Sequence, residues 1–375
     1  MKILFVSNDL THHLVPFFRS LFPIYGDKNC TFAVLKSCEN RHKMGFPEYD
    51  EEWLFEVYNR SDEEYKVLWT NADIIITRVW DRTELIEDAL KANKLVFYAS
   101  ERWYRPPIGM KRLFFPKYLF KFLKFRQLSK YSNFYYLAMG YYAGLDFKKV
   151  GLCKNRIFSF GYFTPQLCQE PVTSTSGKIK LIWVGNMLTL KKVIDILIVY
   201  KDIYKSYNIS LDLIGQGTER SNLEQYVKDN CLIGVTFRDF LPNEEVKKKM
   251  IDADIYIFPS NGYEGWGAVV NEAMQTKCAV IASCETGAAR SMIINGKNGF
   301  TYSSGDCNAL REALVKLLEN PCLLNSFKEE GYKTITLTWS ALEAARRFSV
   351  IQSRIFNGES LDYYKEGPMA LITNK

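Results

Sequence analysis

No two of the nine cysteines, at 30, 38, 153, 168, 231, 278, 284, 307 and 322, form the close pairs that zinc sites or redox motifs need. Scattered and odd in number, they fit a reducing compartment. Histidine is scarcer still: there are three in 375 residues, two of them adjacent at His12 and His13. The opening stretch MKILFVSNDL has one lysine and an apolar run that stops at Asn8 and Asp9, too short for a signal peptide or a membrane span. It reads as the first strand of a cytoplasmic protein. No short-period repeat interrupts the chain. Between Glu101 and Asp146 there is no acidic residue at all.

What is present is enough apolar residue, 47% of the chain, to build the cores of two ordinary domains. Strand-length apolar segments KILFVS, CTFAVL, ADIIIT, KLVFYAS and FYYLAM alternate with helical periodicity near 15–22, 62–70, 82–92, 111–130 and 140–149. That alternation predicts a mostly parallel sheet covered by helices. The pattern lapses over 164–177, TPQLCQEPVTSTSG, and resumes with KIKLIWVG, ISLDLIG, GVTFRDF, ADIYIFP, CAVIAS and GFTYS. The expected organisation is two doubly wound α/β domains, 1–170 and 171–340, facing a central cleft, with a helix and tail over 341–375. Ligands of such sheets bind beyond the carboxyl ends of the strands.

The segment EGWGAVVNEAM, 264–274, places two carboxylates around an expected helix start near Gly267. A helix start offers unpaired N–H groups to a phosphate, and Gly265 and Gly267 let the backbone approach it. Glu264 in the loop and Glu272, two turns into the helix, then offer acceptors to sugar or ribose hydroxyls. The plainer reading is that Glu264 favours the helix dipole and Glu272 is solvated.

Around these residues the chain resembles the retaining glycosyltransferases of family 4, which have the GT-B fold of two Rossmann-like domains. Glu264 and Glu272 have the family's E-x7-E spacing, and LIWVGN with Lys191, LDLIGQGTE, VTFRDFLPNEEV, ADIYIFPS, NGKNGFTY and TWSALEAARRF follow in its order. The resemblance spans 178–350 well and the first half loosely. It implies that Glu264 contacts the donor sugar, Glu272 the ribose, and the loop after Gly185 the diphosphate. Trp266 and Ala268 belong to the same donor segment. Where the family has Gly-Arg the chain has Gly185-Asn186, and where it has Lys-Gly the chain has Lys191-Lys192. Lys191 is then the phosphate ligand, with Lys192 or an arginine of the other domain as second cation. Both lysines also read as the exposed first turn of a helix. Phe240 and Leu241 fall where the family holds the base, or they pack in the core.

The resemblance assigns the first half to the acceptor. His12 and His13, after the first strand, are placed to donate to phosphate or an acceptor hydroxyl, or simply to begin a helix. Glu101 stands near where relatives place an acceptor-activating side chain, unless it only pairs with Arg102 or Arg105. The basic, aromatic stretch 109–130, with Lys111, Arg112, Lys117, Lys121, Lys124, Arg126 and Lys130, is expected to lie on an anionic membrane face rather than on nucleic acid. A helix packed on the sheet with its lysines in solvent is the alternative. Asp252 and Asp254 form a D-x-D string that reads as a strand start, and the resemblance implies transfer without a metal or other cofactor.

The expected function is transfer of a sugar from a nucleotide diphosphate donor to a glycan or polyprenyl-linked acceptor in surface polysaccharide synthesis. A binding or scaffolding protein that has lost turnover, or a sugar-nucleotide epimerase, would share the fold.

Overall fold

The computed structural model describes residues 1–37, 49, 51–167 and 177–372. Of the interrupted stretch 164–177, residues 168–176 lie outside the described residues, as do Cys38 and Cys168. The chain forms two compact units, Met1–Pro165 with Trp339–Lys375, and Gln166–Thr338.

In the first unit, seven described strands form a parallel sheet: β1 (Ile3–Ser7), β2 (Cys30–Val34), β3 (Leu54–Glu56), β4 (Ile74–Thr77), β5 (Leu95–Ser100), β6 (Phe134–Met139) and β7 (Ile157–Phe160). Their order is β3-β2-β1-β4-β5-β6-β7. Central strands such as Ile74–Thr77 are buried along their whole length, and apolar but for the last residue, because helices cover both faces of a parallel sheet. β3 and β7 are short, and the sequence pattern does not announce them. The expected helix at 15–22 is divided into Val15–Arg19 and Phe22–Tyr25, each with a proline in its first turn. The one expected at 111–130 is also divided, into a 3₁₀ segment Gly109–Phe114 and a helix Pro116–Leu128. Pro116 lacks the N–H that would continue an earlier helix but suits the start of a new one.

The helix Ala341–Phe356 belongs to this unit. Phe348 packs between Phe17, at 6.1 Å, and Phe97, at 4.8 Å between ring centroids. Beyond it, Met369 and Ile372 donate backbone hydrogen bonds to Ser159 and Ile157, and an antiparallel bridge joins Leu371 to Phe158. The tail thereby covers the open edge of β7.

The second unit repeats the architecture with β8 (Ile179–Val184), β9 (Ile209–Ile214), β10 (Val235–Arg238), β11 (Ile255–Phe258), β12 (Ala279–Ser283) and β13 (Phe300–Tyr302). Its order is β10-β9-β8-β11-β12-β13, again parallel. Trp183, Leu211, Leu213 and Ile257 lie at the centre of its core. Asp254, next to the first residue of β11, accepts from the Lys180 N–H at 2.9 Å and pairs with buried Lys328 at 2.6 Å. The second aspartate of the D-x-D string therefore has a structural partner. Among the described residues no helix is long and apolar enough to cross a membrane.

Candidate functional site

Both sheets reverse direction of strand order beside their first strand, and open α/β sheets take ligands beyond the strand ends at such a point. In the second unit it lies between β8 and β11. Gly185 and Met187, after β8, donate backbone hydrogen bonds to Ile214 at 3.0 Å and Gln216 at 2.7 Å. Gly215 has φ of 135°, and a Cβ there would stand 1.9 Å from the Gly185 carbonyl oxygen. Glycine alone lets these two loops touch. Asn186 is exposed beside them.

Lys191 closes a 3₁₀ turn, Thr189–Lys191, and Lys192 adopts a left-handed conformation before the helix Val193–Ile203. The two lysines thus precede the helix instead of forming its first turn. Burial raises the pKa of the Asp195 carboxyl, while the Lys192 charge draws it back. Lys192 therefore already has a nearby anion.

The loop after β11 meets this turn. Asn261 donates its N–H to the Leu190 carbonyl at 2.9 Å, and Glu264 donates its N–H to the Asn261 carbonyl at 3.0 Å. The Glu264 carboxylate and the Lys191 ammonium form an ion pair, each side chain 18% exposed. The Lys191 nitrogen also lies 5.8 Å from the centroid of the Phe258 ring. Gly267, at φ of 91°, passes so close to that ring that a Cβ would come within 2.6 Å of it.

The helix has seven residues, Val269–Gln275, with Ala268 at its N-cap. Glu272 is therefore in its first turn, not two turns inside. Burial raises the Glu272 carboxyl to about 7, with Lys247 opposing the shift. Trp266 is buried, and its indole N–H donates to Asn271 at 2.9 Å. It pins the loop, which leaves only its backbone within reach of a ligand. The Gly265 carbonyl is taken by the Gly287 N–H at 3.1 Å. Phe240 is 62% exposed, so the core-packing reading fails for it, whereas Leu241 is half-buried.

Sequence reasoning missed two supports of this site. Glu285, after β12, accepts from the Gly262 N–H at 3.1 Å and so steadies the Glu264 loop. Arg220 donates to the Gly215 and Arg238 carbonyls at 2.9 and 3.1 Å and pairs with Asp239 at 2.8 Å, bracing the ends of β9 and β10. The only local signal for Arg220 was its place just after the two-glycine turn.

In the first unit, His12 and His13 follow β1, are half-buried, and bring their ring centroids to 3.6 Å. Glu101, one residue beyond β5, forms an ion pair with Arg105 and accepts from the Tyr162 hydroxyl at 3.0 Å. Arg102 instead lies 3.8 Å from Asp146 and 4.9 Å from the Tyr142 ring centroid.

The basic stretch divides into two kinds of residue. Phe114 is 88% exposed, and Phe115, Leu119, Phe120 and Leu123 are exposed with it. Lys111, Lys117, Arg126 and Lys130 are exposed too. Lys121 is not part of that surface: its ammonium lies 4.0 Å from the Trp103 ring centroid and 5.3 Å from that of Trp80. Burial lowers its pKa to about 7.

Residues 169–334 match the family model of glycosyl transferases group 1. The chain is 26% identical over 186 residues to an uncharacterized glycosyltransferase, MJ1069, of Methanocaldococcus jannaschii, covering 48% of this chain and 46% of that protein. It is 24% identical over 231 residues to the capsular polysaccharide biosynthesis glycosyltransferase CapM of Staphylococcus aureus, covering 58% and 56%. The chain thus spans about half the length of these relatives. Its structure superposes on that of Anabaena Alr3699/HepE in complex with UDP with a TM-score of 0.71 at 12% identity, covering 94% of this chain and 100% of that one. The likeness establishes the fold, two parallel-sheet Rossmann-like domains with GT-B glycosyltransferases as structural neighbours.

Proposed function

We propose that the chain is a glycosyltransferase that moves a sugar, with retention of anomeric configuration, from a nucleotide diphosphate sugar to a glycan or polyprenyl-linked acceptor of a surface polysaccharide. The observation that carries this reading is the meeting of Lys191 and Glu264 at the strand-order reversal of the second unit, with Glu272 eight residues on. The match of 169–334 to a glycosyltransferase family supports it, as do UDP in the complex of HepE and the capsular role of CapM.

Departure of a nucleoside diphosphate from the anomeric carbon leaves negative charge on the leaving oxygen. A preorganised cation at that point stabilises the transition state. Lys191 is placed for this role, and its pairing with Glu264 holds the ammonium in position before the donor arrives. When the diphosphate takes the ammonium, Glu264 is released to accept from a hydroxyl of the donor sugar. Glu272 accepts from the ribose, and the exposed Phe240 with Leu241 flanks the base. Asn186 adds hydrogen bonds but no charge, and Lys192 is the second cation in reach of the same loop. In this reading the departing phosphate takes the acceptor proton, Glu101 and His12 with His13 contact the acceptor, and no metal is required. The exposed aromatic and basic residues of 109–130 hold the protein on an anionic membrane on the cytoplasmic side, beside a lipid-linked acceptor.

A thermal-shift panel of nucleotide sugars tests the donor assignment. One nucleotide sugar is expected to stabilise the wild type and to lose its effect in Lys191→Ala and Glu272→Ala. If no nucleotide sugar or nucleoside diphosphate shifts the melting temperature, the transferase reading fails.

A further inference from the structure

The helix Pro116–Leu128 carries one lysine that neither the exposed basic surface nor the donor site uses. The Lys121 ammonium faces four rings, with centroids 4.0 Å away for Trp103, 5.3 Å for Trp80 and 5.9 Å for both Tyr98 and Phe125. Trp103, Tyr98 and Phe125 are buried and form the floor of this cage. Trp80 is only half-buried and forms its rim, and Lys121 itself is half-buried. The cage is therefore open on the side of Trp80.

The surroundings disfavour a charge on this nitrogen. Among the described residues no carboxylate pairs with it, and the charge that acts on it is that of Lys117, one helical turn earlier and also positive. Aromatic faces attract a cation but do not replace the hydrogen bonds of water. Burial, with the Lys117 charge, lowers the Lys121 pKa to about 7. At neutral pH about half of it is then free amine, against on the order of one part in 3,000 for an ordinary lysine. A lysine becomes an activated nucleophile when it is desolvated in an apolar pocket or set beside another cation. Lys121 meets both conditions.

Lys117 decides which electrophile the amine meets. Its Nζ lies 5.8 Å from the centroid of the same Trp80 ring, and the residue is exposed, so a cation stands at the open rim. An acyl donor whose leaving group is a phosphate is held by that cation, and the charge that develops as the phosphate departs is stabilised there. Between Glu101 and Asp146 the sequence has no carboxylate to oppose it. An aldehyde or an uncharged ester gains nothing from the same cation.

We propose that Lys121 is a site of acylation by acyl phosphates, with Lys117 holding the phosphate. The free amine attacks the carbonyl carbon, a C–N bond forms as the C–O bond to phosphate breaks, and the proton lost from nitrogen leaves with the phosphate as hydrogen phosphate. The product is an amide that carries no charge into the cage. None of this rests on the transferase reading. The test treats the full chain at neutral pH with acetyl phosphate and, separately, with acetic anhydride, an uncharged donor, and follows the initial rate at each lysine by peptide mass spectrometry. Acetyl phosphate is expected to modify Lys121 at least tenfold faster than the exposed Lys111 and Lys130 of the same stretch. In Lys117→Gln the rate at Lys121 should fall at least threefold more with acetyl phosphate than with the anhydride, and Lys117→Arg, which keeps the cation, should restore it. Circular dichroism checks that both variants are folded, and the wild-type comparison stands without them. The proposal is overturned if acetyl phosphate modifies Lys121 no faster than Lys111 and Lys130, because the cage then shields the amine. It is overturned equally if Lys117→Gln slows the two donors alike, because Lys117 then acts on the amine and not on the phosphate.

Discussion

Replacing Glu272 by glutamine is expected to stabilise the second unit at alkaline pH and to do almost nothing at acid pH. Burial raises the folded-state pKa of this carboxyl from its ordinary 4.5 to about 7. An acid raised on folding contributes stability below its unfolded pKa and loses it as pH rises through the folded one. Below pH 4.5 the side chain is protonated in both states, and glutamine mimics it. Between 4.5 and 7 the unfolded chain ionises first, and above 7 the whole difference is felt. At 1.36 kcal/mol per pH unit the gap amounts to about 3 kcal/mol. Residual contact of the carboxyl with water reduces this, to about 1–3 kcal/mol. For a domain of this size each kcal/mol moves the melting temperature by roughly 2–4 °C, so Glu272→Gln should melt roughly 2–12 °C above the wild type at pH 8. Calorimetry of both proteins at pH 4.5 and 8 measures the difference. If the two melting curves differ equally at the two pH values, the carboxyl does not pay for its burial and the reasoning is refuted. The same substitution should weaken nucleotide-sugar binding at pH 8, where a carboxylate that only accepts becomes an amide that must orient.

Three further outcomes follow from other parts of the molecule. Lys121→Met should raise stability by about 1–3 kcal/mol at pH 6, because a lysine lowered to about 7 is penalised while charged and four aromatic rings return only about 2 kcal/mol. The gain should shrink above pH 7 and vanish towards 10.5, as urea titrations across that range will show. Asp254→Ala leaves the buried Lys328 ammonium without its partner, and a loss of about 3–5 kcal/mol is expected by urea unfolding. The double variant Phe114→Ser with Phe120→Ser should no longer sediment with phosphatidylglycerol vesicles at low salt, with its circular dichroism unchanged; equal sedimentation of variant and wild type would remove the membrane assignment.

The alternation of apolar runs with helical periods was enough to read two parallel α/β units, because a strand covered on both faces needs nearly every residue apolar. Glu264 and Glu272 stood out in the sequence by their spacing, and Lys191 by its place in the family resemblance. Their mutual contacts did not. The ion pair of Lys191 with Glu264 depends on the Asn261 to Leu190 backbone bond between two loops 71 residues apart, a contact no local pattern records. Trp266 looked like a residue of the binding loop, and only its buried bond to Asn271 shows it to be a peg. Lys121 repeats with the other basic residues of its helix, yet it lies on the side that meets Trp103 and Trp80, and sequence periodicity cannot tell an aromatic cage from an exposed stripe. Glu285 and Arg220 went unnoticed because they act by holding backbone, which needs no motif.

The first unit is assembled from both ends of the chain, and residues 166–338, 173 in all, are made between its two parts. Ribosomes add about 5–20 residues each second. The nascent sheet of β1–β7 therefore waits roughly 9–35 s before Phe348 emerges to fill the place between Phe17 and Phe97. Throughout that interval an aromatic groove and the edge of β7 are open, while the second unit, encoded without interruption, can finish folding. Chaperone dependence during synthesis should consequently attach to the half of the protein that is translated first and completed last.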